Sequence, residues 1–159
     1  MAGRADSPLG AEGRIQGFIG ALGSKHQTLL RSVRRELRKR FPSANELVYD
    51  YPSSLVIAYS PTERGSDAVV AVSAGADGLR LVFNNGPALP DPKKLLGGSG
   101  KQTRFIRIES SGTLKRPEVR ALLEAAQDRA AIPLRPDGRG RSIIKPKSAR
   151  HPPKPKPRP

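Results

Sequence analysis

The chain has no cysteine and no tryptophan, one methionine, two histidines and only seven phenylalanine or tyrosine residues among 159. The missing cysteine excludes disulfides and thiolate metal centres. His26 and His151, without cysteine partners, do not make a transition-metal ligand set. So few aromatic side chains leave little for nucleic-acid bases to stack on. No apolar run approaches the ~20 residues of a membrane helix, and the opening MAGRADSPLGAEGR lacks the hydrophobic segment of a secretory signal. These absences favour a cytoplasmic chain without a membrane role. Catalytic sets are missing too: no Gly-x-Ser-x-Gly elbow occurs, and no nucleophile stands with a base. The reading is of a non-catalytic protein with no cofactor.

Acidic residues are also scarce, 14 against 29 lysines and arginines, for a net charge of +15. The excess is uneven. Residues 133–159 hold nine cations, one acid (Asp137) and eight of the sixteen prolines, a net +8, while residues 1–132 hold twenty cations and thirteen acids, a net +7. Such a segment is expected to be a disordered basic tail. Its Arg139, Arg141, Lys145, Lys147, Arg150, Lys154, Lys156 and Arg158 are candidate phosphate contacts. Lysine and arginine on an extended segment bind polyanions through counterion release, without sequence preference. A solubilising tail with no dedicated partner is the competing reading.

The rest divides into a flexible arm (1–11) and one domain (12–132), which suits the length. Ile15, Phe18, Ile19 and Leu22 mark a short, glycine-weakened helix. The clearest helix runs from His26 to Phe41, with Leu29, Val33, Leu37 and Phe41 at i+4 steps. Ser24 is its expected N-cap, and Pro42 stops it. Arg31, Arg34, Arg35, Arg38, Lys39 and Arg40 are assigned to its solvent side. Five strands are expected, at Glu46–Tyr51, Leu55–Ser60, Ser66–Ala74, Leu79–Asn84 and Thr103–Glu109. Gly75-Ala76-Asp77-Gly78 signals a hairpin. A last helix starts at Pro117, with Val119, Leu122, Leu123 and Ala126 as its apolar stripe. The expected fold is α+β: an antiparallel sheet of about five strands, covered on one face by the N- and C-terminal helices, the other face partly polar.

Three segments, NELVYDYPSSLVIAYSPTERGSDAV (Asn45–Val69), GPALPDPKKLLGGSGKQTRFIRI (Gly86–Ile108) and LKRPEVRALLEAA (Leu114–Ala126), resemble the YdhG-like family of bacterial single-domain proteins. The resemblance spans about residues 15–132. It implies a frataxin-like fold, and an iron-chaperone role has been proposed for some relatives. A frataxin-like iron or small-ligand carrier is therefore the alternative function. Labile hard cations need oxygen-rich ligands, whereas the long helix here has Glu36 as its only acid among six cations. Glu46, Asp50 and Glu63 are read as ordinary solvated charges.

Gly97-Gly98-Ser99-Gly100-Lys101 is not a Walker loop, because Leu95 and Gln102 stand where glycine and Ser/Thr are required. It is read as a tight loop feeding a strand, with an anion-binding backbone nest as the alternative. Asp91 is expected to cap one helical turn, from which Leu95 and Leu96 plug the core rim. The same turn, with Tyr49, Lys101 and Arg104, forms a candidate small-ligand pocket. The sequence names no small-molecule ligand and leaves monomer and sheet-edge homodimer open. The leading reading is a binding or accessory protein with non-specific nucleic-acid affinity through its tail.

Overall fold

The structure is a computed structural model that describes residues 10–84, 86, 89–91, 94–98 and 103–145. Three helices, α1 (Gly10–Gly20), α2 (Ser24–Arg40) and α3 (Pro117–Asp128), accompany six strands. The strands are β1 (Asn45–Asp50), β2 (Ser54–Ser60), β3 (Val70–Gly75), β4 (Gly78–Phe83), β5 (Arg104–Ile108) and β6 (Ser142–Ile144). They form one sheet in the order β5-β4-β3-β2-β1-β6. The first five pair antiparallel as a meander. β6 adds to the β1 edge in parallel.

Strand alternation divides the sheet into two unlike faces. Val48, Leu55, Ile57, Tyr59, Val70, Val72, Ala74, Leu79, Leu81, Phe83, Ile106 and Ile108 share one face and one buried cluster. Ile15 and Ile19 of α1, Leu30, Val33 and Leu37 of α2, and Val119, Leu122 and Leu123 of α3 join that cluster, so the helices cover this face. The opposite face carries Tyr49, Val56, Ser73, Arg80, Val82 and Arg107, which are half-buried or exposed. The hairpin turns through Ala76 and Asp77, with Gly75 opposite Gly78. Gly78 takes φ 115°, open to glycine and strained for other residues.

Several boundaries depart from the sequence reading. α1 starts at Gly10, inside the segment expected to be an arm. Gly23, not Ser24, occupies the N-cap of α2; Ser24 is helical, and its carbonyl accepts the Thr28 hydroxyl. The strand expected from Ser66 begins only at Val70. Before it, Ser60, Thr62 and Asp67 hydrogen-bond within the loop: the Thr62 amide donates to Ser60 Oγ, the Arg64 amide to Thr62 Oγ1, and the Thr62 hydroxyl to Asp67. Such local bonds compete with a strand ladder, and Gly65–Asp67 forms a 3-10 turn instead. Asp91 does accept from two free amides, Leu95 at 2.8 Å and Leu96 at 2.9 Å, but residues 94–98 are not helical. Leu95 and Leu96 pack against the core rim, as expected.

The main correction is at the C-terminal boundary. The chain does not leave the domain at 133. Residues 133–145 run back along the body, and Ser142–Ile144 complete the sheet. Two adjacent isoleucines make this possible: Ile144 packs against the core on the helix side. Gly140 passes so close to the Ala44 carbonyl that any side chain there would collide with it. Its amide donates to Pro42 O at 2.9 Å.

Candidate nucleic-acid interface

α2 carries charge in two ways. Arg34 lies on its apolar stripe and is 5% exposed, contrary to its assignment to the solvent side. Its Nε and Nη2 donate to the Glu46 carboxylate at 2.8 and 2.9 Å, and its Nη1 and Nη2 donate to Glu12 at 2.9 and 2.6 Å. Glu46 is 2% exposed, so it is no solvated charge. It also accepts from the Tyr59 hydroxyl and from the Ser142 hydroxyl, each at 2.7 Å. One carboxylate therefore ties α2, β2 and β6 together, and the guanidinium adds α1.

The electrostatics follow from this geometry. Arg34's hydrogen bonds hold the Glu12 carboxyl down at about 2, against an ordinary 4.5. Burial disfavours the Glu46 anion, but Arg34's hydrogen bonds and charge outweigh it, and the net shift is downward. Burial likewise opposes charge on Arg34, yet the two carboxylates raise its pKa further. Burial, then the Glu46 charge, pushes Tyr59 well above its usual value, so its hydroxyl stays a donor. A buried pair contributes little net stability over an apolar replacement, but losing one member is costly. This cluster fixes the angle and register of α2.

The other cations of α2 face water. At about 100° per residue, Arg31, Arg35 and Arg38 fall within a ~60° arc, and all three are exposed. Arg31 donates to the uncharged Gln16 at 3.0 Å, and Arg38 stands 3.8 Å from Glu46 with its side chain 48% exposed. The C-terminal segment meets this stripe. Arg38, Glu46, Arg139, Gly140, Arg141 and Ser142, with Phe41, Pro42 and Ala44, line one small polar cleft of about 30 Å³. Arg38 of the stripe thus meets Arg139 at this cleft, while the Arg141 guanidinium turns to Glu63 instead.

The residues singled out from sequence fare differently. Arg139 is exposed. Arg141 pairs with Glu63 at 2.6 Å, and Lys145 Nζ donates to the Glu63 carbonyl at 2.9 Å. Glu63 is exposed, as expected, but it anchors the segment on the open sheet face. Lys147, Arg150, Lys154, Lys156 and Arg158 lie outside the described residues, as does Lys101. The pocket expected around Tyr49 and Arg104 is not assembled. Tyr49 on β1 stacks on Tyr51 at 5.7 Å and turns its hydroxyl toward Gly65 on the open face; burial raises its pKa. Arg104 on β5 has the core-facing parity, opposite Phe83, and packs against Gly86. Four strand spacings, roughly 19 Å, separate the two strands. Asp91 spends both carboxylate oxygens on Leu95 and Leu96. Gly97, at the start of the glycine-rich segment, pairs with β5: Gly97 and Phe105 exchange both backbone hydrogen bonds, and Arg80 lies 4.5 Å over the Phe105 ring.

Sequence reasoning missed the Arg34–Glu46 pair, although a signal was present. Arg34 sits four residues after Leu30 and three before Leu37, on their stripe. Glu46 shares strand parity with the buried Val48. Among the described residues, no three His, Cys, Asp or Glu side chains gather as a metal-binding group. No described helix is long and apolar enough to cross a membrane.

Among the described residues, the architecture is three α-helices on one face of a six-stranded, mostly antiparallel sheet. No family model, no curated protein and no solved structure matches the chain, so the YdhG-like resemblance rests on its three sequence segments.

Proposed function

We propose that this protein is a binding or accessory protein that associates non-specifically with nucleic acid through its cationic surface. The observation that carries the reading is the continuity of that surface. Arg31, Arg35 and Arg38 lie along α2, Arg38 meets Arg139 at one cleft, and five more cations follow in residues 146–159. Each phosphate neutralised releases counterions, so affinity is electrostatic and indifferent to base sequence. The few aromatic side chains agree with the lack of base readout. The buried Arg34–Glu46–Ser142 cluster supports the reading in another way, because it holds α2 and the base of the C-terminal segment in one fixed relation.

The test is a salt titration of binding to a generic duplex and a generic single strand. The 159-residue chain is compared with a variant in which Lys147, Arg150, Lys154, Lys156 and Arg158 are all replaced by glutamine. The parent is expected to bind both with a steep salt slope. The variant should retain weaker binding whose slope on the duplex is smaller by up to ~4.5, about 0.9 for each phosphate left without its cation. Absence of binding by the parent at moderate salt overturns the reading.

A further inference from the structure

A second cationic feature lies on another side of α2. At about 100° per residue, Arg40 is roughly half a turn from Arg31, so it faces away from the stripe described above. Here the end of α2, the 3-10 turn Ser111–Lys115 and the first turns of α3 enclose a groove of about 400 Å³. Lys39, Arg40, Lys115 and Arg120 supply its cations, Glu36 its one carboxylate, and Leu37, Leu114 and Leu123 its apolar floor. Among the described residues, none of the four cations has a carboxylate within 4.0 Å.

Arg40 marks where a ligand would bind. Its guanidinium lies 5.9 Å over the Phe41 ring, and its Nη2 makes a long 3.5 Å hydrogen bond to the Arg120 carbonyl. Its Nε is buried and has no hydrogen-bond partner, the only such side-chain atom among the described residues. A buried N–H without an acceptor is rare and calls for an explanation. The Nε is closed off from the groove, so a ligand would meet the Nη edge of the planar guanidinium, which matches the oxygens of a phosphate. The groove's size falls within the range of small-molecule sites, about 300–1,000 Å³, and its floor suits an apolar body attached to the anion.

We infer that this groove binds a small organic phosphate monoester. The phosphate sits on Arg40, Lys115 and Arg120, and the organic part lies on Leu37, Leu114 and Leu123. The site is independent of the nucleic-acid reading, since it uses neither the Arg31–Arg35–Arg38 stripe nor residues 133–159.

Phenyl phosphate and inorganic phosphate, titrated into the whole chain by calorimetry and by backbone-amide NMR, test the inference. Phenyl phosphate should saturate at one equivalent, shift the amides of Leu37, Leu114, Lys115 and Arg120, and bind about tenfold more tightly than inorganic phosphate. Arg40→Gln/Arg120→Gln should weaken it by about tenfold or more. Lys115→Gln, at an exposed position, should weaken it less while leaving the fold untouched. The variant with five neutralised cations in residues 147–158 should bind phenyl phosphate like the parent. A response that does not saturate, shifts centred on Arg31, Arg35 and Arg38, equal binding of the two phosphates, or full affinity in the Lys115→Gln and Arg40→Gln/Arg120→Gln proteins would each overturn it.

Discussion

One helical turn separates Arg34 from Arg38, yet the side chain of the first is 6% exposed and that of the second 48%. Arg34 shares two carboxylates at hydrogen-bond distance, whereas Arg38 stands 3.8 Å from one of them and otherwise faces water. The two arginines therefore obey different physics. Around Arg34 the field is local, poorly screened and bound up with the fold. Around Arg31, Arg35 and Arg38 it is screened within a Debye length of about 8 Å at physiological salt, and it is available to a partner. Position relative to the apolar stripe, not residue type, decides which role an arginine on this helix takes.

The largest effect that can break the comparison is removal of the buried guanidinium. Arg34→Leu leaves Glu46 buried without its cation and should cost about 3–5 kcal/mol. In urea denaturation the loss should be nearly independent of salt. A loss under about 1 kcal/mol that disappears at high salt would place Arg34 with the solvated charges.

The same pair of proteins carries a pH signature. Glu12 and Glu46 both titrate lower in the folded protein than their ordinary 4.5. Their contribution is therefore present above pH 4.5 and is lost as pH falls through the folded values, about 2 for Glu12. Arg34→Leu lacks that contribution, so the parent and variant stability curves should converge as pH falls from 4.5 toward 2. Parallel curves would mean that the carboxylates are not coupled to Arg34.

Gly140→Ala tests the join between the buried cluster and the C-terminal segment. The new methyl group would run into the Ala44 carbonyl, and relief of that overlap should cost about 1–3 kcal/mol. The amides of Glu46 and Lys145, which donate to Arg141 O at 2.8 Å and to Val48 O at 2.9 Å, should then exchange faster with solvent. Unchanged exchange would show that β6 does not depend on this approach.

The smallest effect belongs to the exposed pair. Glu63→Gln removes a 2.6 Å ion pair with Arg141 whose partners are 60% and 70% exposed. Thermal unfolding should register less than about 1 kcal/mol, vanishing at high salt. A larger loss would move Glu63 into the same category as Glu46.

Much of the fold was legible because its signals are periodic. Leu29, Val33 and Leu37 announced α2, and Leu79 and Leu81 announced β4, since one-sided burial imposes a 3.6- or 2-residue repeat. Pro117 marked the start of α3 to the residue. The misses have physical causes. Ser142–Ile144 was lost within a Lys- and Pro-rich context, because a three-residue edge strand depends on its partner β1 rather than on its own pattern. The candidate pocket failed for a related reason: which strands become neighbours is a tertiary fact, and Tyr49 and Arg104 ended four strands apart. The Arg34–Glu46 pair was obscured by residue type, since charged side chains are seldom fully buried unless paired, and the partners lie twelve residues apart on a helix and a strand.

In the proposed function, the Arg31–Arg35–Arg38 stripe and the C-terminal segment act as one electrostatic interface. The most direct measurement is the slope of log affinity against log salt for a generic duplex, for the 159-residue chain and for Arg31→Gln/Arg35→Gln/Arg38→Gln in the same chain. Leaving three phosphates without their cations should reduce the slope by about 2–3, with stability close to that of the parent. An unchanged slope in the triple variant, alongside steep salt dependence in the parent, would contradict the account and confine nucleic-acid binding to the C-terminal residues alone.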